Sequence, residues 1–181
     1  MYDIDLSTYF LDNRVIFLCD EIDSDTSSRI VSLLLYLDLE CKSEIKLYIN
    51  SPGGDVSGFF AIYDTINYIR SPVRTICIGE ALSAAADLLA SGSPGRREAS
   101  PNAQIMIHSI QLDDISGTVQ DLTSYVKRTK DLNDKIIRIL SSNTKQTIDK
   151  IEKDCKFDKF MSAQEALEYG IIDRILKSKE K

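Results

Sequence analysis

The chain of 181 residues lacks any uninterrupted apolar run that approaches the length of a membrane span. Its first ten residues, MYDIDLSTYF, also lack the basic start and apolar middle of a secretory signal peptide. Apolar residues make up 43% of the chain and charged residues 28%, which is ordinary for a soluble globular protein. We therefore expect one medium-sized domain that stays in water, with the cytoplasm as its compartment and no membrane contact.

Basic residues and closely spaced cysteines are scarce as well. Lysine and arginine total 22 against 28 acidic residues, so the net charge is −6. This charge disfavours nucleic acid as a partner, because nucleic acid is bound through clustered basic side chains. The cysteines are far apart in the chain, and no two of them have metal-ligand spacing: Cys19, Cys41, Cys77 and Cys155. They are predicted to be reduced thiols, and neither a disulfide framework nor a metal is expected.

What the chain does contain is a regular alternation of apolar strands and amphipathic helices. Strands are predicted at 14–20, 44–51, 73–80, 103–108 and, last, 171–176. Helices with apolar residues three and four positions apart are predicted at 23–41 and 56–70, and a further helix begins at Ser83. Strands that alternate with helices of this length form right-handed crossovers and a mostly parallel sheet, so the predicted fold class is α/β.

Polar residues stand at the ends of three of these strands. Ser83 follows the third strand, His108 ends the fourth, and the turn NSPGGD follows the second. The carboxyl ends of parallel strands lie at one edge of the sheet, where open α/β folds place their sites. His108 is the only histidine in the chain, so a mechanism that needs an imidazole near neutral pH has one candidate.

Each of these residues also has an ordinary structural interpretation. Ser83 could simply cap a buried helix, since serine oxygens accept backbone N–H groups at that position. His108 could be a structural side chain, and Gly53 with Gly54 could form a plain tight turn. In the functional interpretation, the three alanines after Ser83 leave room for a substrate. The glycine pair then exposes N–H donors for an oxyanion. No G-x-S-x-G elbow is present, so the pattern is not that of an α/β-hydrolase.

One long helix is predicted in the second half, from Thr118 to about Ser142. Its apolar residues fall near helical spacing among many charged ones: Val119, Leu122, Val126, Leu132, Ile136 and Leu140. At 1.5 Å per residue the helix would be roughly 35 Å long. A narrow apolar stripe of this length needs a partner, which is either the rest of its own domain or another subunit of an assembly.

Several segments together resemble the ClpP-type peptidases, the proteolytic subunits of the ATP-dependent Clp serine proteases. They are spread over nearly the whole chain: INSPGGDV, AIYDTINYI, TICIGEALSAAADLLASG, SPNAQIMIH and FMSAQEALEYGIID. The resemblance implies the ClpP/crotonase-like fold, a repeated spiral of ββα and βαβ units with a mostly parallel sheet and a protruding handle helix. It further implies a single domain over 1–181, with a head at about 1–112 and 155–181 and a handle at about 113–154.

The same resemblance implies a role for each matching site residue. Ser83 would be the nucleophile, His108 the general base, and Asp158 the acid that orients the imidazole. The backbone N–H groups of Gly54 and Ala84 would form the oxyanion hole. The chemistry agrees independently, because a serine hydroxyl is a weak nucleophile at neutral pH unless an imidazole accepts its proton. The implied activity is cleavage of unfolded polypeptides to short peptides.

Family membership would also imply an assembly and a partner. In this family two stacked heptameric rings form a tetradecamer that encloses the active sites, with handles of the two rings interleaved. A hexameric AAA+ unfoldase docks on the ring and threads substrates in with ATP. This chain has no Walker A motif, so we expect peptide hydrolysis without a cofactor and ATP use by the separate unfoldase.

Some residues depart from the family pattern. Lys46 stands where many relatives have a tyrosine that lines the apolar pocket for the unfoldase, and a charged ammonium disfavours docking of an apolar anchor. Asp113 and Asp114 follow His108 where a glycine-rich stretch is common, which favours basic peptides as substrates. Asp87 lies in a helix that is usually apolar, so we expect either that this face meets water or that the carboxylate finds a partner.

Three alternatives to an active serine peptidase are open at this stage. The chain could be a weakly active or structural ring subunit of a mixed particle, in which a second ClpP-like subunit binds the unfoldase. It could be an acyl-CoA enzyme of the related crotonase-like fold, although such an enzyme has no evident use for Ser83 and His108 together. A serine–lysine dyad with Lys46 is also conceivable, but His108 makes it unnecessary. The convergence of Ser83, His108 and Asp158 favours the peptidase.

Overall fold

A seven-stranded sheet runs through the computed structural model, which describes residues 6–112 and 115–177. The strands are β1 (Val15–Leu18), β2 (Ile45–Ser51), β3 (Val73–Leu82), β4 (Arg97–Ala99), β5 (Gln104–Ile107), β6 (Lys159–Ser162) and β7 (Arg174–Ile175). The helices are α1 (Leu6–Asp12), α2 (Ser24–Glu40), α3 (Val56–Tyr68), α4 (Ala84–Ala90), α5 (Val119–Thr144), α6 (Ile148–Asp154) and α7 (Ala163–Tyr169).

The sheet is mostly parallel, which confirms the predicted α/β fold. Its main path has the order β1-β2-β3-β4-β7, and every pair along it is parallel. The second half of β3 pairs with β5 in parallel, and β5 pairs with β6 in antiparallel orientation. Sequence patterning missed the three-residue strand β4 and the antiparallel strand β6. The strand predicted at 171–176 is shorter, because the N–H groups of Ile171 and Ile172 donate to the Ala166 carbonyl at the end of α7 and not to a neighbouring strand.

Helices α2 and α3 pack on the sheet through the apolar faces that their sequence periodicity predicted. Ile30, Leu34 and Leu37 of α2 are fully buried, as is Ile62 of α3. Each helix begins at an aspartate whose side chain accepts a backbone N–H of the first turn, Asp23 for α2 and Asp55 for α3. Asp23 and Asp55 therefore fix the residues at which the helices after β1 and β2 begin.

Helix α4 is buried along its whole length, and its position fixes where Ser83, the residue directly before it, lies. All seven residues of Ala84–Ala90 are buried, and most of them are alanine or leucine. Small side chains allow this helix to lie close to strands β3 and β5. Because α4 starts directly after β3, Ser83 stands at the carboxyl edge of the sheet.

Helix α5 is 26 residues long, about 39 Å at 1.5 Å per residue. Its carboxyl-terminal part packs on the fold through Ile136, Ile137 and Leu140, whereas no side chain from 119 to 135 is buried. Val119 is 74% exposed and Val126 is 52% exposed. The apolar stripe therefore has two parts: its end packs on the fold of its own chain, and its first half projects with apolar side chains uncovered.

Arg97 of the unpredicted strand β4 joins the end of α5 to the sheet. Its guanidinium donates hydrogen bonds to Asp173 Oδ1 at 2.6 Å, to the Asn143 carbonyl at 2.8 Å and to the Gly170 carbonyl at 2.9 Å. Arg97 is only 9% exposed, so its charge is removed from water and compensated by these acceptors. The base of the projecting helix is thereby held against the sheet that carries the site.

Of the two surface sites that the sequence singled out, Lys46 lies among the described residues and the pair Asp113 and Asp114 does not. Lys46 lies exposed on strand β2, where its backbone pairs in register with Val15 of β1. Asp113 and Asp114 lie outside the described residues, so the preference for basic peptides inferred from them is untested.

Within the described ranges, none of the helices combines the length and the apolar composition that crossing a membrane requires.

Candidate active site

Three neighbouring strands bring the predicted site residues to one edge of the sheet. The NSPGGD turn begins within the last residues of β2, Ser83 follows the last residue of β3, and His108 follows the last residue of β5. The parallel register pairs Ser51 with Ala81 and Leu82 with Met106. The parallel register of these strands therefore delivers the polar groups to the same place.

Ser83 has an unusual backbone conformation that keeps its hydroxyl out of the helix cap. Its φ of 54° and ψ of −128° lie in a region that residues with a Cβ rarely adopt. Its N–H donates to the Met106 carbonyl at 2.8 Å, and its own carbonyl accepts from Ala86 N at 2.8 Å. Although Ser83 holds the N-cap position of α4, its side chain makes no capping hydrogen bond. The hydroxyl is left to interact with His108.

The imidazole of His108 links the hydroxyl to a carboxylate. His108 Nε2 lies 2.7 Å from Ser83 Oγ, and His108 Nδ1 lies 3.1 Å from Asp158 Oδ1. The antiparallel register between β5 and β6 explains the second contact, because it pairs Ile107 with Lys159 and so places His108 opposite Asp158. The His108 side chain is 15% exposed and the Asp158 side chain 49% exposed. The structure thus brings together all three residues that the resemblance singled out.

Gln111 is a further contact of the imidazole that the sequence did not reveal. Its side-chain amide nitrogen lies 3.2 Å from His108 Nδ1, the same ring nitrogen that Asp158 approaches. A loop residue three positions after the histidine carries no sequence signal for such a contact. Gln111 therefore competes with Asp158 for one nitrogen, and which of its amide atoms faces the ring depends on the tautomer.

The glycine turn packs directly against the start of helix α4. A Cβ built on Gly53 would lie 2.8 Å from Ser83 Cβ and 3.1 Å from Ala84 N, which leaves no room for a side chain. Gly54 has a φ of 144°, and a Cβ there would meet the Ile22 carbonyl at 2.5 Å. Among the described residues, the N–H groups of Gly54 and Ala84 have no hydrogen-bond acceptor. Both donors are therefore available beside Ser83.

These groups line a cavity of about 890 Å³, large enough for an extended peptide. Its walls combine apolar side chains, among them Phe59, Met106, Leu132 and Ile136, with the polar groups around Ser83. Two of the apolar residues belong to α5, so the long helix forms part of the wall. Within the described ranges, no group of three or more histidine, cysteine or acidic side chains is arranged to hold a metal ion.

Asp87 lines the same cavity and meets neither expectation drawn from the sequence. Its side chain is buried, with 6% of the residue exposed, so this face of α4 does not meet bulk water. The described residues supply no hydrogen bond and no ion pair to its carboxylate. Burial without a partner raises the pKa of Asp87 to about 8. The buried position therefore favours the neutral, protonated form of this carboxyl group over the charged form.

This burial makes the stability of the fold depend on pH. Between about pH 4 and pH 8 the folded chain keeps a proton on Asp87 that the unfolded chain, with the ordinary pKa of 3.8, releases. Stability therefore falls as the pH rises through this range, by up to about 1.4 kcal/mol per pH unit. We expect Asp87→Leu to melt above the wild type by a margin that widens from pH 5 to pH 8 in scanning calorimetry.

The other ionisable groups near Asp87 do not produce the same trend. The cavity is also lined by Arg128, Glu21 and His108, which the wild type and the Asp87 variant share. Burial raises the pKa of the Cys155 thiol to about 12, so this group does not titrate between pH 5 and pH 8. Asp87→Asn should show the same widening margin as Asp87→Leu. A margin that stays constant with pH would contradict the burial of an unpaired carboxyl group.

The thiols of the chain follow the sequence prediction. The described residues contain four free cysteines, of which Cys19 and Cys41 are exposed and Cys77 and Cys155 are buried. Burial raises the pKa of Cys77 to about 12, which keeps this thiol protonated and unreactive at neutral pH. No cysteine lines the cavity, so Ser83 is the nucleophilic side chain nearest to the imidazole.

Comparison with known protein families agrees with the fold. The sequence model of the family described as Clp protease matches residues 2–179 of the 181. The match covers every strand and helix described above, including the projecting helix and the antiparallel strand that carries Asp158. The chain therefore belongs to the Clp protease family and is a ClpP-type peptidase.

Proposed function

We propose that this chain hydrolyses peptide bonds in unfolded polypeptides by a serine mechanism in which Ser83, His108 and Asp158 act together. The observation that carries the proposal is the chain of short contacts from Asp158 Oδ1 through both ring nitrogens of His108 to Ser83 Oγ. A serine hydroxyl rarely meets an imidazole and a carboxylate in this order without a chemical role. The left-handed backbone of Ser83 supports it, since strain of this kind is concentrated at functional sites.

In the first half of the reaction, Ser83 Oγ attacks the carbonyl carbon of the substrate. His108 Nε2 takes the hydroxyl proton as the new oxygen–carbon bond forms, and the electron pair of the C=O bond moves to the oxygen. The N–H groups of Gly54 and Ala84 donate hydrogen bonds to this oxyanion. When the oxyanion collapses, the C–N bond breaks and His108 Nε2–H protonates the leaving amine, which leaves an acyl group on Ser83.

The second half returns the serine with water as the nucleophile. His108 Nε2 takes a proton from the water, the hydroxide oxygen bonds to the acyl carbon, and the same two N–H groups hold the second oxyanion. Collapse breaks the bond to Ser83 Oγ, which regains its proton from His108. Asp158 accepts the hydrogen bond of Nδ1–H throughout, which keeps the basic nitrogen directed at Ser83 and stabilises the imidazolium.

Labelling with a fluorophosphonate tests the proposal, because this probe reacts only with an activated serine. We expect one phosphonylated residue per chain, located at Ser83 by peptide mass spectrometry, and no labelling of Ser83→Ala. Ser57→Ala, which removes an exposed hydroxyl of the same cavity, is the matched control and should label as the wild type does. An assembled wild-type particle that is not labelled would contradict the serine mechanism and favour the alternative of a structural ring subunit.

We further propose that the exposed first half of helix α5 is covered by other copies of the chain. Val119, Tyr125 and Val126 are large apolar side chains that the described residues leave between 47% and 74% exposed. Interleaved helices from opposed heptameric rings would bury them and enclose the cavity of each subunit in one chamber. The mass of the particle in solution tests this arrangement, which requires fourteen subunits as the family resemblance implies.

Lys46 is expected to weaken the docking of a Clp-type AAA+ unfoldase on this particle. It shares one face of β1 and β2 with Phe17 and Tyr48, whose rings stack at 5.6 Å, so a charge borders an aromatic surface. Lys46→Tyr should raise the rate at which the particle degrades an unfolded protein with a partner ATPase and ATP. Lys46→Gln removes the charge without adding a ring and is the control. No gain with either variant would remove Lys46 from the docking surface.

A further inference from the structure

A buried, unpartnered carboxyl group shares the cavity of the proposed nucleophile. Asp87 is 6% exposed and lines the cavity together with Ser83 and His108. Within residues 6–112 and 115–177, no side chain or backbone group donates a hydrogen bond to its carboxylate and no cation pairs with it. An acid buried in this way costs stability, and nothing in the serine mechanism uses it.

We propose that Asp87 is a specificity-determining residue whose carboxyl group releases its proton when substrate enters and, as the carboxylate, binds the ammonium of lysine or the guanidinium of arginine. The residue concerned is the acyl-side residue, meaning the one that contributes the carbonyl of the bond to be cut. The inference rests on the proposed function of Ser83, because it assigns a binding partner to the side chain next to the attacked carbonyl. It makes the chain a peptidase that cuts after basic residues.

The position of Asp87 relative to Ser83 supports this assignment. Asp87 follows Ser83 by four residues, and its N–H donates to the Ser83 carbonyl at 3.2 Å in the first turn of α4. This hydrogen bond spans the first turn of the helix, which rises about 5.4 Å. A carbonyl held at Ser83 Oγ therefore has the carboxylate of Asp87 roughly one helical turn away, within reach of the four-carbon stem of lysine.

The walls of the cavity suit a side chain that is apolar along its stem and charged at its tip. Phe59, Met106 and Ile136 line the same cavity and offer apolar surface to the methylene groups. The charge at the tip then meets the only deeply buried acid among the lining residues, since Glu21 and Asp55 are exposed. A leucine or methionine in this place would leave the carboxyl group without a partner, which disfavours such substrates.

In the part of the chain that the structure describes, no cationic side chain pairs with the Asp87 carboxyl group. Arg128 also lines the cavity, but it is an exposed residue of α5 and forms no ion pair with Asp87 within the described residues. Elsewhere in the fold, buried or half-buried acids do have partners, such as Asp173 with Arg97 and Glu44 with Arg74. The missing cation at Asp87 is therefore supplied by the ligand.

The experiment compares peptides that differ only at the acyl-side residue, which is lysine, norleucine, leucine or glutamine. With the assembled full-length chain, we expect kcat/KM for lysine to exceed that for norleucine by about tenfold or more. Asp87→Asn keeps the shape of the side chain and removes its charge, and it should reverse this ratio. Glu21→Gln removes an exposed carboxylate from the same cavity and should keep the ratio within about twofold.

Two results would overturn the inference. One is a wild-type preference for norleucine, leucine or glutamine over lysine, and the other is a lysine preference that survives in Asp87→Asn. In either case, labelling of Ser83 by the fluorophosphonate would show that the serine mechanism stands without the specificity. The two proposals can therefore fail separately.

A binding measurement decides the case in which no peptide is cleaved. Benzamidine is a small cation with an apolar body, and its binding can be followed by calorimetry in wild type, Ser83→Ala and Asp87→Asn. Binding to the first two proteins and a loss of about tenfold or more in the third would support the cation site even if Ser83 is inactive. Equal binding to all three, or none to any, would overturn it.

Discussion

Replacement of Ser83 by alanine is expected to lower the kcat/KM for a short peptide by on the order of 10⁴-fold or more. Among the described residues, the hydroxyl at 2.7 Å from His108 Nε2 is the only nucleophile that the imidazole contacts, and alanine leaves the surrounding backbone hydrogen bonds in place. Hydrolysis of a fluorogenic peptide at saturating and limiting concentrations measures the effect. Residual activity should come only from the two N–H donors and from substrate binding.

The same variant should assemble as the wild type does. Ser83 is half-buried, its side chain caps no helix, and no other described side chain depends on its hydroxyl apart from His108. Size-exclusion chromatography with light scattering provides this control, and Ser57→Ala should retain activity within about twofold. Loss of the assembly in Ser83→Ala would mean that the hydroxyl has a structural role, and the activity loss would then say nothing about catalysis.

Asp158→Asn is expected to lower kcat by about 10²- to 10⁴-fold while leaving KM within a few-fold of its wild-type value. The asparagine amide can donate a hydrogen bond to His108 Nδ1, which favours the tautomer that carries its proton on Nε2. That tautomer cannot accept the Ser83 proton. The effect should be smaller than that of Ser83→Ala, because the Asp158 side chain is 49% exposed and water can partly replace it.

A matched control separates this role from a general change in charge. Asp149→Asn removes an exposed carboxylate from the first turn of α6 and should keep kcat within about twofold. Fluorophosphonate labelling gives a second measurement, since the rate of labelling of Ser83 should fall together with kcat in Asp158→Asn. Wild-type activity in that variant would remove Asp158 from the mechanism, and Gln111, which contacts the same nitrogen, would take its place as the candidate.

Asp87 and Lys46 are the two positions at which the resemblance implies a change of residue type and at which we propose an effect on function. The first places an acid inside the cavity of the serine, and the second places a base on an aromatic surface of the sheet. Each changes the chemistry of a contact without disturbing the elements around it, since α4 remains buried and β2 remains paired on both sides. The predicted consequences are a preference for basic residues in the substrate and weaker docking of the unfoldase.

Sequence patterning was sufficient for the elements whose cause is local. Helices α2 and α3, strands β1 to β3 and the start of α5 follow from apolar periodicity and capping residues within a few positions of each other. The convergence of Ser83, His108 and the glycine turn could also be predicted, because parallel strands end at one edge of the sheet. Being the only histidine made His108 the one candidate for a general base, and the resemblance implied that role.

Other features depend on residues far apart in the chain. Strand β4 has three residues and shows no period, and β6 contains only two apolar residues, Phe160 and Met161. Both strands exist because β3, β5 and β7 pair with them. The antiparallel register of β6 is what sets Asp158 opposite His108, so only the folded sheet explains a contact across 50 positions. The resemblance named Asp158, but no local pattern could place it.

The sequence by itself determined the α/β alternation, the long amphipathic helix and the residues that end the strands, because each depends on neighbours in the chain. Only the tertiary structure decided that Ser83 adopts a left-handed backbone instead of capping its helix, that Gln111 shares the imidazole, and that Asp87 is buried in the cavity without a partner. These features arise where several elements meet, and the burial and hydrogen bonding of a side chain there are set by whatever the fold packs around it.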